Sequence, residues 1–88
     1  MLPTKKYEVK FKAVARKRLA NLDSRLRLRI LKAVFKLADN PYPPGVKRLV
    51  GKSGLRIRVG DYRVVYEVNN SRLLVLVVQV GHRREIYR

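Results

Sequence analysis

Residues 55–66 read LRIRVGDYRVVY. In them Leu55, Ile57 and Val59 alternate with Arg56 and Arg58, the period-2 pattern of a strand with one apolar and one exposed face. Gly60-Asp61 has the Gly-X form suited to a two-residue type II′ hairpin, which pairs Val59 with Tyr62, Arg58 with Arg63 and Ile57 with Val64. This register settles the architecture, because the apolar set on one face must be covered while the arginines stay on the other. It also sets two cations opposite each other across the strands, with a third nearby at Arg56. Like charges so placed oppose pairing, so the cluster is not explained by fold stability. An anion is the natural missing partner, and the planar donor fork of arginine matches a phosphodiester.

Working outward, Tyr7, Val9 and Phe11 alternate with Lys6, Glu8, Lys10 and Lys12, which predicts a short N-terminal strand. Val14, Ala15, Leu19 and Leu22 then recur at helical spacing, and Asp23-Ser24 offers a break and an N-cap for a second helix. In that helix Leu26, Ile30, Val34 and Leu37 form an apolar stripe, widened by Leu31, Ala33, Phe35 and Ala38. Arg25, Arg29, Lys32, Lys36 and Asp39 fall opposite, which reads as a solvated face. Asn40-Pro41-Tyr42-Pro43-Pro44-Gly45 ends the helix, and a loop leads to Val46–Val50. After the arginine hairpin comes a third strand, Leu73–Val80, entered through Asn69-Asn70-Ser71. Its apolar run predicts a central strand buried on both faces, and a two-residue turn at Asn70-Ser71 would put Gln79 on the core face. The expected fold is α+β: an N-terminal strand, a two-helix hairpin, then three antiparallel strands, with the helices on one sheet face and the arginines on the other. Residues 1–88 are expected to form a single domain.

The chain carries 22 Lys and Arg against 6 Asp and Glu, a formal charge of +16 over 88 residues. Self-repulsion at that density implies a polyanionic partner: nucleic acid first, with an anionic membrane surface or an acidic protein as alternatives. A hydrophobic fraction of 47% separates the chain from disordered basic tails. Cysteine is absent, which leaves no disulfide, thiol nucleophile or zinc knuckle. The N-terminus has no apolar h-region, and the longest aliphatic run, Leu73–Val78, is too short to span a bilayer. A cytoplasmic protein without a membrane partner is expected.

Residue supply narrows the chemistry further. The acids Glu8, Asp23, Asp39, Asp61, Glu67 and Glu85 are scattered, with no close pair to hold two metals. GKSG at 51–54 lacks the spacing of a phosphate loop. His82 is the only histidine and reads as a solvated neighbour of Arg83. The basic cluster instead suggests metal-free chemistry on phosphate, with no cofactor expected, and RNA is a substrate suited to it. The strand carries its own nucleophile in the 2′-hydroxyl, so an enzyme must align it, remove its proton, offset charge on the phosphorane and protonate the leaving oxygen. Arginines suit charge stabilisation but make poor general bases. Tyr87 could stack on a base or shuttle a proton. Tyr62 and Tyr66 fall on the core face and read as packing. The blander reading of the arginines is as plain phosphate anchors.

NPYPPGVKRLVGKSGLRIRVGDYRVVYEV followed by VVQVGHRREIYR resembles the RelE toxins of the RelE/ParE superfamily over essentially the whole chain. The likeness rests on the element order, the proline-rich loop, the R-x-G-D-Y-R-x-x-Y hairpin and the closing G-H-R-x-x-x-Y. It implies a ribosome-dependent endoribonuclease that enters the vacant A site of the small subunit and cuts the mRNA codon there through the 2′-hydroxyl, leaving a 2′,3′-cyclic phosphate. It maps the functional positions onto Arg56, Arg58, Arg63, Arg83 and Tyr87. Arg63 and Arg83 would contact the scissile phosphate and leaving group, Arg83 as acid, and Tyr87 would orient the base. Arg56 and Arg58 stand where well-studied members carry lysines, which passes any proton-accepting role to Tyr87 or water. The spacer between Arg83 and Tyr87 is short for the family. The resemblance also implies an acidic RelB-like antitoxin and a higher-order toxin–antitoxin complex. A ParE-like gyrase poison, which generally lacks this arginine set, and a non-catalytic RNA- or DNA-binding module are the competing readings.

Overall fold

Gly60 has φ +59, and among the described residues Leu73 is the one non-glycine residue at positive φ, so Asp61 keeps the negative φ that the second position of a type II′ turn demands. Around this turn the hairpin closes in the expected register: Val59 opposite Tyr62, Arg58 opposite Arg63, Ile57 opposite Val64. The computed structural model describes residues 6–49, 51 and 54–82. In chain order the elements are β1 (Glu8–Phe11), α1 (Ala13–Ala20), α2 (Ser24–Lys36), β2 (Lys47–Arg48), β3 (Leu55–Val59), β4 (Tyr62–Asn69) and β5 (Leu74–His82). The α+β arrangement is as expected, with one added strand, β2. The five-stranded sheet has the order β1-β5-β4-β3-β2. β1 runs parallel to β5, while the remaining neighbours are antiparallel.

The two helices cover one face. Ile30, Val34 and Leu37 from the α2 side and Ala15 and Leu19 from α1 are buried against Leu55, Ile57, Val59, Val64, Tyr66, Val75, Val77 and Val80 of the sheet. Asp23 caps α2 by accepting from the Arg25 and Leu26 backbone N–H groups, both at 3.4 Å. The Arg27 guanidinium donates to the Ala20 and Leu22 carbonyls at 3.3 Å each, satisfying acceptors at the end of α1. Two expected core positions are instead open to solvent: Val14 is 64% exposed and Phe35 54%. Phe35 lies on the flank of the α2 stripe, where its ring meets that of the edge-strand Phe11 edge-on, with centroids 6.5 Å apart. None of the described helices is long and apolar enough to cross a membrane.

β5 lies inside the sheet between β1 and β4, as expected of a central strand, but departs from the expected reading in its bounds, its entry turn, its register and the cover of its open face. It begins one residue later and runs to His82. The turn before it occupies residues 70–73, with Leu73 at φ +52, not two residues. A four-residue turn alone would still leave Gln79 opposite Val64 on the core face. The pairing slips between Val65 and Tyr66, with Tyr66 opposite Val77 but Val65 opposite Gln79. Val78 is therefore an extra residue, and this bulge moves Gln79 to the open face, where it is exposed. The open face of β5 is also less covered than a doubly buried strand, since Leu74, Leu76 and Val78 are half-buried.

Candidate nucleic-acid interface

The same pairing that builds the core lays out two rows of side chains on the sheet face away from the helices. One row runs Arg58, Arg63, Gly81 and the other Lys47, Arg56, Val65, Gln79. The bulge sets the end of the first row. Without it Val80 would stand opposite Arg63, whereas the slip places Gly81 there, so the residue directly opposite Arg63 brings no side chain against it. Bulges commonly re-aim side chains beside functional sites.

Arg58 is exposed, Arg56 half-buried, and Arg63, on the middle strand, only 3% exposed. One Arg63 Nη donates to the Tyr62 carbonyl at 3.4 Å. Its long stem is held by the sheet, so its charge is positioned before any ligand arrives. With Lys47 and Gly45 these arginines line a hollow of about 300 Å³ whose charged side chains, among the described residues, are all cationic. A phosphate in the hollow would meet four cationic side chains, three of them with the forked donors of arginine. The cluster was legible from alternation except for Lys47, which sits on a strand of two residues, too short to show a period. Its signal was its place in the proline-loop motif.

The loop that brings Gly45 and Lys47 to the hollow is fastened from beneath. The Tyr66 hydroxyl donates to the Pro41 carbonyl at 2.6 Å in a buried contact. Burial, and secondarily the neighbouring Tyr42, pushes the Tyr66 pKa up to about 12, so the hydroxyl stays a donor. Asn40 Oδ1 accepts from the Tyr42 N–H at 3.0 Å, and the Val46 N–H donates to the Pro43 carbonyl at 3.1 Å. Tyr66 is thus a packing and anchoring residue, as its side of the strand implied. Gly45, at φ +87, turns the chain into β2 through a conformation that side chains disfavour.

His82, expected to be a solvated neighbour of Arg83, is less open to solvent than that. It is half-buried and packs edge-on against Tyr62, with ring centroids 5.5 Å apart, and it pairs with Tyr62 on the strand ladder. This sets it on the helix-facing side. Arg83 and Tyr87 lie outside the described residues.

Residues 9–87 match the family model described as the ParE toxin of the type II toxin–antitoxin system parDE. A RelE-like toxin protein of Escherichia coli is 34% identical over 80 residues, which is 89% of this chain and 84% of that protein. Toxin RelG of Mycobacterium tuberculosis is 30% identical over 86 residues, 93% of this chain and 97% of RelG. Among solved structures, a RelBE toxin–antitoxin complex from Mycobacterium tuberculosis superposes with a TM-score of 0.81 at 26% identity, covering 92% of this chain and 95% of the matched chain.

Proposed function

Because this chain belongs to the RelE/ParE superfamily of type II toxin–antitoxin toxins, we propose that it is the mRNA-cutting kind, a ribosome-dependent endoribonuclease that cleaves codons in the A site and so halts translation. The observation that carries this reading is the hollow lined by Lys47, Arg56, Arg58 and Arg63, with Arg63 almost fully buried in the middle strand of the sheet. In the reaction the 2′-hydroxyl oxygen attacks the adjacent phosphorus and gives up its proton to a base. The P–O5′ bond then breaks, leaving a 2′,3′-cyclic phosphate and a 5′-hydroxyl that takes up a proton. Arg63, flanked by Arg56 and Arg58, stabilises the charge gathered on the phosphorane oxygens. Arg83 serves as acid to the leaving oxygen, and Tyr87 orients the base. A guanidinium is a poor proton acceptor. Lys47 is the one charged side chain lining the hollow, among the described residues, that is not a guanidinium, and it is the candidate base there.

The ribosome supplies the ordering that a shallow basic face lacks, so naked RNA is cut negligibly. An acidic antitoxin of the RelB kind, assembled with the toxin into a higher-order complex, is the regulatory partner. The solved relative is itself a toxin–antitoxin complex. A charge of +16 together with exposed Val14, Leu28 and Phe35 suits a partner that is both acidic and amphipathic. The matching family model carries the ParE description, which keeps gyrase inhibition as a second reading. Primer extension on a defined mRNA in a reconstituted translation system separates the two. New ends inside A-site codons, appearing only with ribosomes, are expected. Intact mRNA together with gyrase-dependent DNA breaks would assign the chain to the ParE type instead.

A further inference from the structure

Beside the arginine hollow, and sharing Arg58 and Gly45 with it, a second cavity of about 410 Å³ opens between α2 and β3. Its rim is cationic: Arg29, Lys32 and Lys36 from α2, and Arg58 from β3. Its floor is apolar, made of Ala33, Leu37, Ile57 and Val59. The helix face that reads in sequence as merely solvated therefore borders a cavity. β2 pairs only with Leu55 and Arg56, so at Ile57–Val59 the outer edge of β3 meets no other strand among the described residues and presents backbone donors and acceptors to this cavity. The Arg29 guanidinium reaches to 3.6 Å from where a Cβ on Gly60 would stand, which carries the positive rim over the hairpin turn toward the hollow.

An apolar floor, a strand edge and a ring of cations together match the parts of one nucleotide: the face of a base, its hydrogen-bonding edge and its phosphate. We infer that this cavity holds the base of a single-stranded RNA nucleotide next to the scissile phosphate, with Arg29, Lys32 and Lys36 on the phosphate that follows. The inference rests on the RNA-cleaving reading above and adds to it a specificity subsite. Continuity through Arg58 gives the strand one unbroken path from the hollow into the cavity.

The test is an NMR titration of the full chain with a four-nucleotide RNA carrying 2′-O-methyl sugars, which cannot be cut, and with the same strand made abasic at single positions. The Ala33 and Val59 methyl signals report the cavity. The base-bearing strand is expected to shift both signals and to bind roughly 5- to 10-fold more tightly than one of the abasic strands. Ala33→Phe, which fills the floor, should erase that difference and leave abasic binding unchanged. Lys36→Ala, a surface change that keeps the fold, should lower the slope of log K against log salt by about 0.7. Equal binding of intact and abasic strands by the unaltered protein would overturn the subsite while leaving the RNA reading in place. Absence of binding by either strand would also overturn the subsite, whereas the ribosome-dependent reading stands or falls on the primer extension above. Displacement of the Ala33 and Val59 signals by an acidic helical peptide, with no dependence on a base, would give the cavity to a protein partner and overturn the inference.

Discussion

Tyr66 shows how one residue serves core and site together. Its ring is fully buried, and its hydroxyl holds Pro41 and so the loop that delivers Gly45 and Lys47. Tyr66→Phe should cost about 1–3 kcal/mol at pH 8, because it leaves a buried carbonyl without a donor. The pKa adds a sign. With the folded value at about 12 and the ordinary value at 10.0, the unfolded chain loses its proton first as pH rises. The stability from this group is therefore intact below pH 10 and drains away between about 10 and 12, by roughly 2–3 kcal/mol in all. Phenylalanine has no such proton, so urea titrations should show the gap between wild type and Tyr66→Phe narrowing from pH 8 to pH 11. A gap that stays constant would contradict the assignment. At Lys47, replacement by arginine keeps the charge but exchanges the amine for a guanidinium. Cleavage should fall at least about tenfold with ribosome binding preserved if the lysine accepts the 2′-hydroxyl proton, as single-turnover rates would reveal.

At the scale of elements, the β3–β4 hairpin is the frame of the site, and its turn depends on Gly60 at φ +59. A Cβ there would meet Arg29 at an ordinary 3.6 Å, so space is not the obstacle. The left-handed backbone is, and Gly60→Ala should cost about 1–2 kcal/mol, seen as a drop of several degrees in Tm. This hairpin was legible in sequence because a strict alternation met a turn whose residues fix its length, and those two facts leave one register. Helix α2 was legible for the same kind of reason, a clear stripe after an Asp23 cap. β5 was not, since Leu73–Val78 carries no alternation to say which side is in. Only the three-dimensional pairing reveals that Val78 is extra and that Gly81 stands beside Arg63. β2 was hidden by its length, and the parallel seating of β1 against β5 is a long-range choice that local pattern does not encode. Val14 and Phe35 were placed inside by periodicity alone, yet both are exposed, because helical spacing shows which side is apolar but not how much of it the sheet covers.

For the molecule as a whole, a net charge of +16 on a fold with helices on one face and cations on the other makes binding strongly salt-dependent. Each phosphate contact on a single strand contributes about 0.7 to the slope of log K against log salt, so Arg56→Ala should flatten the slope for ribosome or RNA association by about that amount. Anchoring and catalysis thus predict different things for the same face, and Arg63 is where they part. The decisive measurement is the single-turnover rate of mRNA cleavage in programmed ribosomes for wild type and Arg63→Ala, with ribosome affinity measured alongside. The account predicts a rate lower by roughly 10²- to 10³-fold and an affinity changed by less than about threefold, since a single phosphate contact is lost among many. A rate that falls only as far as the affinity does would show that the arginine face holds RNA without helping to cut it.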